Sequence, residues 1–278
     1  MTDAGGGSLW ARYRRADSCL IAFSLIGSTL VIFAFLALAT ITLTQLADIP
    51  FLIQVALDTQ VINAILLTFG AGLTVVFILL ILGTPLAYVL ARTHSRVNSL
   101  VEALIDIPLV LPHTVAGIMV YLLFMQRGLL GAPLKEIGIV FEDAFPGIVV
   151  AMLFVSMPFY VNTVREGFQK VPLHIENVAR TLGATRFRAF ALIVLPLSTR
   201  HILNGSVLAW GRAISEFAAV IMIAYYPMIV STLIYYRFTT GGLKESSAIA
   251  FLMILASFSV FLVLRIVTRY LGSYDDRV

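Results

Sequence analysis

Residues 59–91 read TQVINAILLTFGAGLTVVFILLILGTPLAYVLA, thirty-three consecutive positions without Asp, Glu, Lys or Arg. A hydrocarbon layer about 30 Å thick is crossed by roughly 20 apolar residues in a helix, so this stretch can span a bilayer with residues to spare. Four further stretches lack the same four residue types: Ser18 to Ala47, Ile107 to Gln126, Ala144 to Val164 and Ser246 to Leu264. A sixth, His201 to Ala224, is interrupted by Arg212 and Glu216 and counts as a span because it separates two loops of opposite character. The chain of 278 residues is 60% hydrophobic and 12% charged, against about a quarter charged in a soluble domain. The expectation is an all-α integral membrane protein with six transmembrane helices, multi-pass in the cell membrane.

Orientation follows from Lys and Arg, because basic loops stay in the cytoplasm. With six spans, fourteen basic residues fall on the side of the termini, and only Arg127, Lys135, Arg237 and Lys244 on the other. Both termini are expected to be cytoplasmic. The division is an N-terminal tail at 1–17, a transmembrane domain at 18–272 that includes a cytoplasmic loop at 165–200, and a C-terminal tail at 273–278. Arg12, Arg14 and Arg15 before the first apolar stretch resemble a signal peptide, but the stretch is about twice a usual apolar region and no small-residue cleavage site closes it, so an uncleaved anchor is expected. The single cysteine, Cys19, can form no internal disulfide and is read as a buried apolar residue.

On the outer side, Gly128, Gly131, Pro133 and Gly138 imply a loop that turns several times, with Asp143 and Pro146 as cap and first turn of the fourth helix. Tyr225, Tyr226, Tyr235 and Tyr236 suit the outer interface. The loop from Arg165 to Arg200 differs from the rest. After Pro172, Leu173, Ile175, Val178, Ala179 and Leu182 recur at helical spacing, with His174, Glu176, Asn177 and Arg180 expected to face away, and Gly183 stops the helix. A second amphipathic segment, Ala184 to Leu195, follows before Pro196. A helix lying on lipid headgroups is the simpler reading of the periodicity alone; two short helices joined at a glycine make a knob that fits a partner's cleft.

Glu176-Asn-Val-Ala179-Arg-Thr-Leu-Gly183, then nine residues and Ile193-Val-Leu-Pro196, resembles the EAA loop of ABC importer permeases, with the acid one position earlier than in the strictest form. The wider pattern, Gly83 to Ala91, Asp106 to Gly117, Gly211 to Phe217, Ala224 to Met228 and Thr232 to Phe238, is similar to the molybdate, tungstate and sulfate branch of that family, and most of all to tungstate/molybdate permeases. Where many relatives have Gly-Ala-Thr after Glu-Phe, this chain has Ala218-Ala219-Val220. The resemblance implies the type I ABC importer permease fold. It also implies a second copy of the chain, two cytoplasmic ATPase subunits that hold ATP and Mg, and an external oxyanion-binding protein. Glu176, Ala179, Gly183, Ile193, Leu195 and Pro196 would then form the loop that couples to the ATPase.

Pro108 and Pro112 remove amide donors, so the third helix should be bent or begin near them, either as a static kink or with freed backbone and Gly117 lining the translocation path. His113 beside them is a packing residue or a path residue. Arg212 and Glu216 stand four apart on one expected helical face, about 16 Å into a span that starts near His201. Charges at that depth mark a functional site or a structural pair, and the pair is the preferred reading. No phosphate-binding loop, paired-cysteine site or His-Glu-x2-His motif is present, so no catalytic residue, metal, bound cofactor or nucleic acid is expected, and energy must come from a partner. The alternatives are a sulfate or thiosulfate permease of the same architecture, an ion-coupled secondary transporter, for which inverted repeats are lacking, and a membrane enzyme, for which Asp106, His113, Arg212 and Glu216 are the few titratable candidates.

Overall fold

The computed structural model describes residues 25–34, 37–38, 40–41, 48–93 and 95–272, and among them every regular element is helical. Both tails, Cys19 and the flanks of the first apolar stretch lie outside the described residues; within that stretch Leu25–Ala34 forms α1. After α2 (Ile49–Ala56), Asp58 caps α3 (Thr59–Ile78) by accepting the Gln60 amide at 2.8 Å. A π turn at Leu79–Gly83 leads into α4 (Thr84–Arg92), giving one rod of 34 residues. At 1.5 Å per residue it is about 51 Å long, more than the hydrocarbon layer needs, so it projects beyond it. The widened turn has a local cause. Pro85 has no amide for the Ile81 carbonyl and its ring crowds that carbonyl, and the extra residue in the turn relieves both. The same construction recurs at Phe190–Val194, two residues before Pro196.

Next come α5 (Arg96–Val110) and α6 (His113–Phe124), bent by 120° across Leu111 and Pro112. The connection after α6 contains α7 (Gly131–Glu136), followed by α8 (Phe145–Lys170). This last helix is the axis of the fold. Its residues Ile148, Met152, Val155, Tyr160, Val161, Val164 and Phe168 are buried, and α3, α4, α5 and α6 pack around it. The Tyr160 hydroxyl and Thr84 Oγ1 lie 2.7 Å apart in the interior, each satisfying the other where no water reaches.

The segment after α8 forms α9 (Leu173–Thr181), α10 (Arg186–Ala189), the second π turn and α11 (Leu195–Leu197), then bends by 71° into α12 (Thr199–Ile214). The chain ends with α13 (Ala218–Ile223), α14 (Val230–Gly241) and α15 (Leu243–Gly272). Large apolar side chains cover the outside as well as the inside. Leu66, Leu73 and Phe77 on α3 and Leu255, Phe258 and Val263 on α15 are exposed, the pattern of a protein whose solvent is lipid. Helices approach closely where small residues meet: a side chain on Gly117 of α6 would lie 2.7 Å from the Ala219 Cα of α13.

Thr59–Arg92, Phe145–Lys170 and Leu243–Leu264 are long and apolar enough to cross a membrane, and the two bent pairs raise the number to five if each is one span. Several expectations need correction. The stretch 201–224 is not one helix: α12 stops at Ile214, and Glu216 lies beyond its end, so Arg212 and Glu216 meet across a helix terminus. Residues 230–241 form a helix whose Val230, Thr232 and Leu233 are buried against neighbours including α3 and α15, because apolar residues face one way and Tyr235 and Phe238 the other. Asp143 does not cap α8, where Ala144 holds that position; its carboxylate instead accepts the Tyr225 amide at 2.8 Å and the Tyr226 amide at 3.2 Å. That ties the loop before α8 to the end of α13.

Candidate coupling and translocation sites

The segment from α9 to α11 is built around an acid that points inward. Glu176 is buried, paired with Arg92 at the end of α4, and it accepts the Tyr88 hydroxyl hydrogen bond at 2.8 Å. The expectation that Glu176 faces away is therefore reversed: it fastens α9 to the second span. Arg92 also donates to the Val171 carbonyl at 3.1 Å, and the Tyr88 ring packs on Phe190 and Phe168 with centroids 4.6 and 5.7 Å away. One joint thus links α4, α8, α9 and the second π turn.

The helix α9 ends in a Schellman arrangement. The Ala184 amide donates to the Ala179 carbonyl and the Gly183 amide to the Arg180 carbonyl, both at 3.0 Å, with Gly183 at φ +94°. A Cβ at that φ is strained even though nothing crowds the position. The far side of the segment is apolar and uncovered. Leu182, Phe187 and Leu192 are 84%, 76% and 74% exposed, beside exposed Arg180, Arg186 and Arg188. Of the sequence candidates here, Ala179, Ile193 and Leu195 are half-buried and Pro196 is exposed.

A second cluster forms where the two broken stretches meet. Glu216, 2% exposed, accepts from Arg212 Nη2 at 2.7 Å through one oxygen and from the Ala219 amide at 2.8 Å through the other. Its carbonyl accepts the Ser231 hydroxyl at 3.0 Å, so the break between α12 and α13 is fully hydrogen-bonded around it. Arg212 Nη1 reaches Ser215 Oγ at 3.3 Å, and Nη2 meets the ring of His113 from the first residue of α6. Counted from Thr199, Arg212 lies about 20 Å along α12.

His113, Arg212 and Glu216 are brought together, with exposed Pro112 beside them. Pro108 lies apart, buried inside α5, and Gly117 is buried against α13. Sequence reasoning missed Tyr88 and treated Arg92 only as a topological charge, although their spacing of four places them on one helical face. It also missed two links from α5 to α8: Asn162 donates to Asp106 at 2.8 Å, and Arg165 pairs with Glu102 at 2.7 Å.

Residues 83–273 match the family model described as binding-protein-dependent transport system inner membrane component. The chain is 40% identical over 90% of its length to a Thermococcus kodakarensis protein named molybdate/tungstate transport system permease protein WtpB, and covers 96% of it. The protein of that name from Methanocaldococcus jannaschii is 42% identical over 78% of this chain and 85% of its own. Among solved structures, a chain of a bacterial alginate ABC transporter in complex with an alginate pentasaccharide-bound periplasmic protein superposes with a TM-score of 0.66 at 20% identity, covering 95% of this chain and 96% of that one.

Proposed function

The chain belongs to the family of binding-protein-dependent transport system inner membrane components, and from that premise we propose that it is the permease through which molybdate or tungstate is imported. The observation that carries the substrate is the 40% identity, over nine-tenths of the chain, to permeases named for those two anions. A Synechocystis sulfate transport system permease protein is 28% identical over 80% of the chain, which favours sulfate less.

The chain is a transport component of a multi-pass membrane protein family; ATP hydrolysis belongs to a separate subunit. In the proposed arrangement six spans place both termini in the cytoplasm, supported by the distribution of basic residues, with domain limits at 18 and 272. Two copies pair, supported by an apolar cleft of about 520 Å³ between α12, α14 and α15 lined by Trp210, Ile214, Ile254 and Phe258. Two ATPases dock on the exposed apolar knob of Leu182, Phe187 and Leu192, and its arginines face acidic groups there. Glu176, Ala179, Ile193 and Leu195 shape that knob from within, and Gly183 and Pro196 set its turns at the surface. An external binding protein supplies the anion.

When ATP closes the two ATPases, the knobs move with them. A knob joined to α4 by a buried ion pair and three rings packed edge-on and tilted moves that helix as well, because packed interiors transmit displacement instead of absorbing it. The closure thereby reaches the spans around the broken helices. Co-purification of the permease with an ATPase and an oxyanion-binding protein, followed by uptake of labelled tungstate into vesicles, tests the reading. Tungstate uptake that requires ATP supports it, and sulfate uptake without tungstate or molybdate uptake opposes it.

A further inference from the structure

His113 is not packed away. It is exposed, as are Pro112, Thr114 and Ser215 around it, at the point where α5 breaks from α6 and α12 breaks from α13. Interrupted helices at membrane depth do not face lipid, because their unpaired amides and carbonyls find no partner there; they face protein or water. The contact with Arg212 adds a constraint. Nη2 lies 3.3 Å from Nδ1 and 3.1 Å from Nε2. An atom so near both ring nitrogens cannot lie in the ring plane without overlapping the carbon between them, so the guanidinium sits over the imidazole face. Among the described residues the ring nitrogens of His113 have no in-plane hydrogen-bond partner, and the residue is exposed.

Arg212 is neutralised by Glu216, Asp106 on α5 turns to Asn162, and Arg165 on α8 pairs with Glu102. Among the described residues, Arg212 is the polar side chain against the His113 ring. What the cluster offers an incoming ligand is an imidazole donor backed by a fixed cation whose own charge is already paired. That combination suits an anion that must be held briefly and released, since a bare cationic site would retain it.

Resting on the oxyanion permease reading, we propose that His113 contacts the tetrahedral dianion in transit, donating an in-plane N–H to one of its oxygens. Arg212, fixed by Glu216, is a positioning residue that holds the ring. In a Cys19→Ser background, His113→Cys in the full complex with ATPase and binding protein should react with an anionic methanethiosulfonate reagent, and tungstate should slow that reaction. His113→Leu should lower tungstate uptake about tenfold, the loss of one hydrogen bond to a charged acceptor, while ATP hydrolysis stimulated by the loaded binding protein persists. His113→Gln, which keeps a donor, should restore part of the uptake.

Three results would overturn the proposal while leaving the permease reading intact. They are a thiol at position 113 that is unreactive with and without ATP, labelling indifferent to tungstate, or His113→Leu uptake equal to that of the unsubstituted complex. Failure of the unsubstituted complex to take up tungstate or molybdate overturns the permease reading itself, and this proposal with it.

Discussion

Arg92→Met tests whether the knob formed by α9 to α11 is fastened to α4 as the structure has it. Glu176 has a side chain 7% exposed, and its hydrogen-bonding and ionic partners are Arg92 and the Tyr88 hydroxyl. Removing the arginine leaves a buried carboxylate with one neutral donor, a change that costs about 3 to 5 kcal/mol when a buried pair is broken. Tyr88→Phe removes a single hydrogen bond to a charged acceptor and should cost about 1.5 to 3 kcal/mol. The joint lies between a peripheral segment and the body, so the cost should appear as local detachment of α9, with the spans remaining folded. In vesicle-embedded permease, hydrogen exchange of the 173–181 amides should accelerate by roughly two to three and a half orders of magnitude in Arg92→Met, since each 1.4 kcal/mol is tenfold. Amides of α8 at 148–161 should exchange as before. Arg92→Met with Glu176→Leu should regain much of the protection, because no charge is then stranded. Unchanged exchange of 173–181 in Arg92→Met would refute the fastening, as would equal acceleration along α8.

Gly183→Asp should destabilise the end of α9 by about 1 kcal/mol or more through its positive φ, and Ala179→Arg should crowd the half-buried side of the same helix; pull-downs with the ATPase should show weakened association, and normal uptake by both variants would mean that the segment merely rests on lipid. Arg212→Ala should strand Glu216 and lose about 3 to 5 kcal/mol, visible as poor assembly in size-exclusion chromatography, whereas Arg212→Gln with Glu216→Met should assemble; an assembled double variant that hydrolyses ATP with loaded binding protein yet moves no anion would show that Arg212 acts in transport, directly or through His113, and not only as the partner of Glu216. Gly117→Leu should separate α6 from α13 and lower thermal stability by about 1 to 3 kcal/mol, checked by unfolding in detergent. With Cys19 replaced, cysteines at Gly5, Thr93 or Asp275 should resist an impermeant external label and one at Asp48 or Gly131 should react; the reverse pattern contradicts the topology.

The apolar framework was legible because lipid exposure demands long charge-free runs, and Thr59–Arg92 and Phe145–Lys170 follow that demand closely. Gly183 was legible because a helix end with positive φ selects glycine locally. Glu176 was misread for a physical reason. Periodicity sorts residues by polarity, and here the apolar Leu182, Phe187 and Leu192 are uncovered while the acid is inside, an inversion that arises when a surface is reserved for a partner. The end of α12 at Ile214 was equally hidden, since 213–224 contains no proline or glycine to mark a break. The interruption is held by tertiary hydrogen bonds from Glu216 to Arg212, Ala219 and Ser231, which no local pattern displays. Helix α14 was missed because the aromatic residues before and within it, Tyr225, Tyr226, Tyr235 and Tyr236, suit an interface as well as a packed helix.

The most direct measurement is uptake by vesicles containing the permease with its ATPase, supplied outside with the oxyanion-binding protein and labelled tungstate and inside with ATP and Mg. The account predicts tungstate accumulation that requires ATP and the binding protein, is suppressed by excess molybdate and is lost when the knob carries Phe187→Asp. Tungstate accumulation that proceeds without ATP, or an assembled complex that hydrolyses ATP in response to the loaded binding protein and accumulates neither tungstate nor molybdate, would contradict it.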